Sequence, residues 1–431
     1  MKSLNDYEKE IEKYPKGYIS IKTINKKKRY YLQWREDNKI KSKYIPAKDV
    51  PLYQEQIKKF KELEEKIRQY ISILTPAPEL SKNHLSLTGS VMAGNKKVAT
   101  FENGKITFIN KEFAPLYIVR TNDVRTWLER RAIDSHRANS RLLKKALGIR
   151  NTSDLNTSLE AHGATITDNY WFKAKFSSLK YSDILFNNDY FSDLALTGNF
   201  SNLKARRILS PELTNIGSYE KCWKLINGSW WMYKNENENQ RFSEIFIYLL
   251  GKTLGFNMAI YELDGSYIKT KNFADKENFE PMSSLMDENE DYNDVFNVLD
   301  NISEDIAKDY LKLIWFDSLV FNQDRHNENY GLMRNKETGK IESLAPNFDN
   351  NIALISNGFP NKDRKKDGLI SFFKELLKKN KTAKRYYSDM SFPLLTDSII
   401  SDCLNNCPLK TNNEFIHQFL MNGYEVLMSL K

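Results

Sequence analysis

The chain has 431 residues, 65 Lys and Arg against 56 Asp and Glu, and a net charge of +9. At 40% hydrophobic and 28% charged it has the composition of a folded globular chain, long enough for about three domains at ~150 residues each. No apolar run approaches the roughly 18–20 residues of a membrane span. The N-terminus lacks the apolar core of a secretory signal. Cys222, Cys403 and Cys407 make neither a disulfide framework nor a C-x-x-C metal knuckle, so the sequence reads as soluble, cytoplasmic and reduced.

In chain order, residues 1–75 form a first unit. Tyr18–Ile21, Tyr30–Trp34 and Ile40–Ile45 are rich in aromatic and β-branched residues. The turn-like stretches Asn25–Arg29 and Glu36–Asn38 separate them, so they read as a three-strand meander. Ile57, Phe60, Leu63, Ile67, Tyr70 and Leu74 then recur at helical spacing, which predicts a helix packed on its own sheet rather than a dimer coil. Thr75-Pro76-Ala77-Pro78 reads as a linker.

Residues 85–200 form an intermediate region. Gly94-Asn95 and Asn103-Gly104 predict hairpins, and 123–148 reads as helical with Gly148 closing it. From 205 to 275 three strands are expected at Ile208–Leu213, Lys221–Ile226 and Ser229–Lys234. A helix follows over Arg241–Leu254, then short strands near Met258–Leu263 and Tyr267–Lys271. Residues 276–431 read as mostly helical. Asn301 with Glu304 resembles a capping box that opens a long helix through Val320.

That order of parts carries chemistry. A lysine at a strand end (Lys234) puts a point charge on nucleotide phosphates, and a helix glutamate (Glu244) holds it. A loop aspartate (Asp324) accepts a hydroxyl proton. An asparagine five positions later (Asn329) and a second aspartate (Asp349) hold Mg2+. Asp324 is followed by four residues and then Asn329, the spacing that protein kinases use, although Arg325 and His326 follow the aspartate instead of preceding it. Asp349 lies 25 residues downstream, room for a hairpin turning at Arg334–Lys340.

The segments PELTNIGSYEKCW, WWMYKNENENQRFSE, FNQDRHNENYG and LAPNFDNNIAL resemble the HipA-like kinases, toxin-type serine/threonine kinases of bacteria, and so does Ile166–Trp171. The resemblance covers roughly 110–380. It implies an α+β, two-lobed protein-kinase-like fold; the small basic sheet-and-helix module of residues 1–75 precedes it and is not part of the family's usual arrangement. It also implies ATP and Mg as cofactors, Asp324 as catalytic base, Asn329 and Asp349 as Mg2+ ligands, and Lys234 with Glu244 on the phosphates. The turn Asn215-Ile216-Gly217-Ser218 takes the place of the phosphate-covering loop, and Ser218 is the candidate for the inhibitory autophosphorylation known in the family. That turn has one glycine rather than several. The acceptor implied is Ser or Thr of a protein. Adenine is expected between the lobes near 270–274.

Two other readings stay open on the residues alone: a DNA-associated protein whose kinase-like part only binds nucleotide, and a small-molecule or lipid kinase, which shares the D-R-H-x-x-N order. Arg325 and His326 read as loop braces. Trp223, Trp230 and Trp231 read as core or hairpin-face residues. The net charge is unevenly placed. Residues 1–70 hold 19 Lys and Arg against 11 Asp and Glu, a balance of +8 that leaves +1 for the rest. Residues 1–75 are therefore where a DNA or antitoxin-like partner is expected, and no membrane partner is.

Overall fold

A computed structural model of the chain describes residues 10–24, 27–36, 39–74, 87–135, 137, 139–149, 153–198, 209–217, 219–287 and 291–431. Two compact units divide the chain. One comprises Met1–His84, Leu142–Arg150 and Thr197–Ile208, the other Leu85–Arg141, Asn151–Leu196 and Leu209–Lys431. Both combine strands with helices, so the α+β class holds. Among the described residues no helix is long and apolar enough to cross a membrane.

In the first unit β1 (Tyr18–Ile24), β2 (Lys27–Glu36) and β3 (Lys39–Ile45) form an antiparallel sheet in that order. Ile19 faces Leu32, and Tyr30 faces Ile45. Side chains alternate across a strand, so these residues share one face, and the Val50–Leu74 helix covers it with Val50, Tyr53 and Ile57. Lys27–Arg29 belong to β2 rather than to a turn, because the middle strand pairs with neighbours along its length. Gly17 admits no side chain: its φ is +132° and a Cβ would collide with the Gln33 carbonyl oxygen.

In the second unit β4 (Gly89–Ala93), β5 (Lys96–Glu102), β6 (Lys105–Phe108) and β7 (Tyr170–Ala174) form a sheet of order β6-β5-β4-β7. The hairpins at Gly94 and at Asn103-Gly104 are present, with all three residues at positive φ. Val91, Phe101 and Phe172 pack there against Ile118, Trp127 and Leu155. The Ile166–Trp171 stretch ties this sheet onward. Asp168 accepts from Arg131 at 2.7 and 2.8 Å, and the Phe279 N–H donates to the Thr167 carbonyl. The helical reading of 123–148 resolves into two short helices, Val124–Glu129 and Ser140–Ala146.

The next sheet, β10-β11-β9-β8, contains β8 (Lys221–Ile226), β9 (Ser229–Lys234), β10 (Tyr261–Asp264) and β11 (Tyr267–Lys271). The strand expected before β8 does not form. Ile208 lies outside the described residues, and Pro211–Thr214 is a 3-10 turn capped by Ser210. Proline has no ladder N–H to give and suits a first helical position, so it selects the turn. The Glu238–Thr253 helix starts three residues earlier than expected, because Asn237 and Gln240 form a capping box. The strand expected from Met258 begins at Tyr261.

A third sheet joins β12 (Glu277–Pro281), β13 (Gly331–Asn335) and β14 (Ile341–Leu344), with β13 and β14 as the expected hairpin. The acidic run before it hides a helix, Tyr292–Asp300, which buries Val295, Phe296 and Leu299. Asn301 caps the end of that helix, so the expected capping box is not made; Ser303 starts the Glu304–Val320 helix. Four helices complete the chain: Gly368–Lys379, Lys381–Asp389, Asp397–Asn406 and Asn413–Met428. One continuous core runs from Phe246 and Ile268 of the sheet-bearing part through Ile314 and Trp315 to Phe373 and Phe419. Cys403 and Cys407 are buried in it as free thiols.

Gly331 sets the approach of β12 to β13. A Cβ there would collide with the Glu280 carbonyl oxygen. Gly331→Ala should cost about 1–3 kcal/mol. Gly368→Ala, at a position with open space, should be neutral or mildly stabilising by ~0.4–1 kcal/mol. Equal melting temperatures for the two variants would refute this.

Candidate active site

β9 delivers Lys234 at its last position, where the residue is 6% exposed. Its ammonium group has three carboxylates around it: Asp349 Oδ1 at 2.6 Å, Glu244 Oε1 at 2.8 Å and Glu236 Oε1 at 3.6 Å. Glu244 comes from the buried face of the Glu238–Thr253 helix, and its other oxygen accepts the Asn350 N–H at 2.9 Å. The structure thus brings together Lys234, Glu244 and Asp349 from three separate segments.

Asp349 adopts a left-handed backbone, φ +57°, which aspartate tolerates better than most residues. Its N–H donates to the Tyr261 hydroxyl at 2.8 Å. A two-bond bridge holds the preceding segment: the Ala259 N–H donates to the Asn347 carbonyl, and the Asn347 N–H to the Asn257 carbonyl.

The Asp324–Asn329 loop begins where the Glu304–Val320 helix stops at Phe321, φ +56°. Arg325 braces it. Its guanidinium meets the buried Asp317 carboxylate through Nε at 2.8 Å and Nη2 at 2.9 Å. The same group donates to the carbonyls of Asn329 and Phe348 and to the side chains of Asn347 and Asn350. One buried cation therefore locks the loop to the segment that carries Asp349. His326 stands 3.9 Å from Asp324 Oδ2 and is half exposed. The Asn329 amide nitrogen donates to the Asp324 carbonyl at 2.9 Å, which orients its oxygen as an acceptor.

The electrostatics follow from this crowding. Burial pushes the Asp324 carboxyl above its ordinary value, with Asp349 adding to the rise and His326 opposing it. Burial also works against ionised Asp349, yet Lys234 and Lys221 outweigh it and hold that carboxyl low. Burial likewise opposes charge on Lys234, but Asp349 and Glu244 keep the ammonium protonated well above its ordinary range. Glu236 is pushed up to about 8 by burial; Lys234 opposes the rise, and the two neighbouring carboxylates reinforce it.

The turn ahead of β8 is built from beneath. Glu212, 1% exposed, accepts the Trp223 N–H at 2.7 Å and the Asn215 amide at 3.0 Å. Arg137 donates to the Asn215 carbonyl at 3.2 Å. Asn215 thus turns its side chain inward, into the scaffold of the turn. Gly217 has φ +107°, and a Cβ on it would strike the Lys221 ammonium. Ser218 lies outside the described residues. Lys221 is the site residue that spacing did not reveal. It faces Lys234 across the β8–β9 ladder, and burial lowers its pKa to about 8. The available signal was its position opposite Lys234 in the hairpin register. Near 270–274, the Asn272 N–H donates to the Trp230 carbonyl and Ala274 is buried. Trp223 is buried as a core residue. Among the described residues no three His, Cys, Asp or Glu side chains gather so as to hold a metal alone.

A family described as a domain of unknown function, DUF6788, matches residues 2–55. No curated protein matches the chain. Among solved structures the chain is similar to the Helicobacter pylori proinflammatory kinase CtkA at 18% identity and TM-score 0.37, over 49% of this chain and 92% of that one. It is also similar to HipA of Shewanella oneidensis MR-1, solved with HipB and operator DNA, at 13% identity and TM-score 0.45, over 78% of this chain and 97% of that one.

Glu236 gives a pH test. The folded state holds its proton up to about 8, whereas an unfolded glutamate releases it near 4.5. The folded state therefore binds more protons across that window, and stability falls as pH rises through it. Denaturant melts of Glu236→Gln should show a flatter profile between about pH 4.5 and 8 than the wild type. Superposable profiles would remove the assignment.

Proposed function

We propose that this chain is an ATP-dependent kinase that phosphorylates a hydroxyl, on Ser or Thr of a protein. The observation that carries the reading is the Lys234–Glu244–Asp349 contact, with the Asp324–Asn329 loop locked beside it by Arg325. Phosphoryl transfer asks a protein for positioning and charge stabilisation more than for covalent chemistry, and this cluster is built for both.

Asp324 receives the acceptor hydroxyl and takes its proton as the oxygen bonds to the γ-phosphorus and the bond to the bridging oxygen breaks, leaving ADP. A carboxyl raised by burial suits that task, because its proton affinity lies nearer the working pH. Its side chain is 34% exposed, open to a hydroxyl carried on a large partner. Lys234 spends two of its three donors on Glu244 and Asp349, and in this reading the third serves the phosphates. Lys221 adds a second ammonium under the Gly217 turn.

The donor set fits Mg2+. Asp349 offers a carboxylate and Asn329 an amide oxygen, hard ligands of the kind this ion takes together with phosphate oxygens and water. When bound, the ion neutralises charge that develops on the phosphates.

Radiolabelled ATP with Mg2+, purified protein and host lysate tests the proposal. Asp324→Ala should lower transfer by about 10²–10⁴-fold while leaving the melting temperature in place. Asp349→Ala should remove Mg2+-dependent transfer. Transfer by Asp324→Ala at near the wild-type rate would overturn the role of that residue. Label that enters only small molecules would overturn the protein acceptor.

Lys221→Met should raise the KM for ATP by about tenfold or more, the loss of one charge-assisted phosphate contact at ~1.5–3 kcal/mol. An unchanged KM would take Lys221 out of the site.

A further inference from the structure

The first unit has a sheet face that its own core does not use. Ile19, Tyr30, Leu32, Trp34 and Ile45 point towards the Val50–Leu74 helix. The opposite face carries Tyr18, Ser20 and Lys22 from β1, Arg29, Tyr31 and Gln33 from β2, and Ser42 and Tyr44 from β3, as the register requires. Lys22 and Arg29 are exposed, and Tyr18 and Tyr44 are each 54% exposed. No carboxylate stands among the described side chains of this face. The stretch of chain that contains it, residues 1–70, holds +8 of the net +9.

We propose that this open sheet face binds double-stranded DNA. The charge selects a polyanion, and a positive face with hydroxyl-tipped aromatics is suited to phosphate contacts. The ring geometry selects a duplex over a single strand. Base stacking needs free aromatic faces, but Lys22 covers the Tyr31 ring at 5.2 Å, and Tyr31 meets Tyr44 edge-on at 5.7 Å and 70°. These rings brace one another and present hydroxyls and an ammonium group outward.

Width selects the groove. β1 and β2, which carry Lys22 and Arg29, lie one inter-strand spacing of about 5 Å apart and form a two-stranded ribbon of the kind a B-form major groove admits. The major groove of A-form RNA is too deep and narrow for such an insert. This proposal is independent of the kinase reading, since it uses none of the same residues.

The test is fluorescence anisotropy with the full chain and a labelled 30-base-pair DNA duplex, across a salt series. A single strand and an RNA duplex of the same length serve as comparisons. The wild type should bind duplex DNA best. Lys22→Glu/Arg29→Glu should weaken that binding about tenfold or more, and should flatten the slope of log K against log salt by about 1.8, two phosphate contacts at ~0.9 each. Lys58→Glu/Lys61→Glu, an equal charge change on the exposed side of the helix, should weaken binding less than threefold. It thereby separates this face from net charge. Equal losses from the two double variants would overturn the proposal, as would preference for the single strand or for RNA. Duplex binding untouched by Lys22→Glu/Arg29→Glu, with a changed mass in sedimentation, would make the face a protein contact and overturn it too. Both double variants should keep the wild-type melting curve, so lost binding is read on folded protein.

Discussion

The Arg325 guanidinium is the constraint on which the site depends. It is buried, and a buried cation is tolerable only when its donors are met with good geometry. Asp317 meets it through two bonds from inside the Glu304–Val320 helix. The remaining donors reach the Asn329 carbonyl on one side, and the Phe348 carbonyl with Asn347 and Asn350 on the other. Two loops that are far apart in sequence thereby share one anchor. Asp324 and Asn329 keep their relation to Asp349 because neither loop shifts without exposing an unpaired charge to the core. This also explains the order of the motif. With the arginine after the aspartate, the guanidinium turns under the loop while the carboxylate stays towards solvent.

Lys234 is a second crowded cation, with a different logic. Three carboxylates surround it, more than one ammonium can neutralise, and the environment sorts them. Asp349 remains ionised because two lysines face it, while Glu236 keeps its proton because burial outweighs the same lysine. The site thus separates a carboxylate suited to a cation from one suited to silence, within a few ångströms.

Much of this was legible in the sequence, and the misses have physical causes. Lys234, Glu244, Asp324, Asn329 and Asp349 were readable because strand end, helix and loop spacing place them, and the structure gathers them. The hairpin between Gly331 and Leu344 was readable from its turn residues. The apolar content of Ile208–Leu213 suggests a strand, but Pro211 has no ladder N–H to give and opens a 3-10 turn instead. The Tyr292–Asp300 helix is masked by its charged surroundings, since the fully buried Val295, Phe296 and Leu299 are interleaved with Asp and Asn. Asn215 lies in the turn that the sequence places over the phosphates, and Glu212 draws its side chain inward, a tertiary effect that no local pattern carries. Lys221 is not legible from spacing, because its place opposite Lys234 arises from cross-strand register, which joins residues thirteen apart only once the hairpin is known.

The Gly217 turn has a consequence for how such chains diverge. At φ +107° the backbone of residue 217 keeps to glycine, and a Cβ there would also meet the Lys221 ammonium. The two constraints differ in kind: the backbone one is fixed by the turn, while the steric one yields when the lysine tip moves. A lineage that lost the lysine would keep the glycine, because the left-handed backbone at 217 still demands it. Residue 217 should therefore vary less among relatives than Ile216 and Tyr219, both exposed beside it.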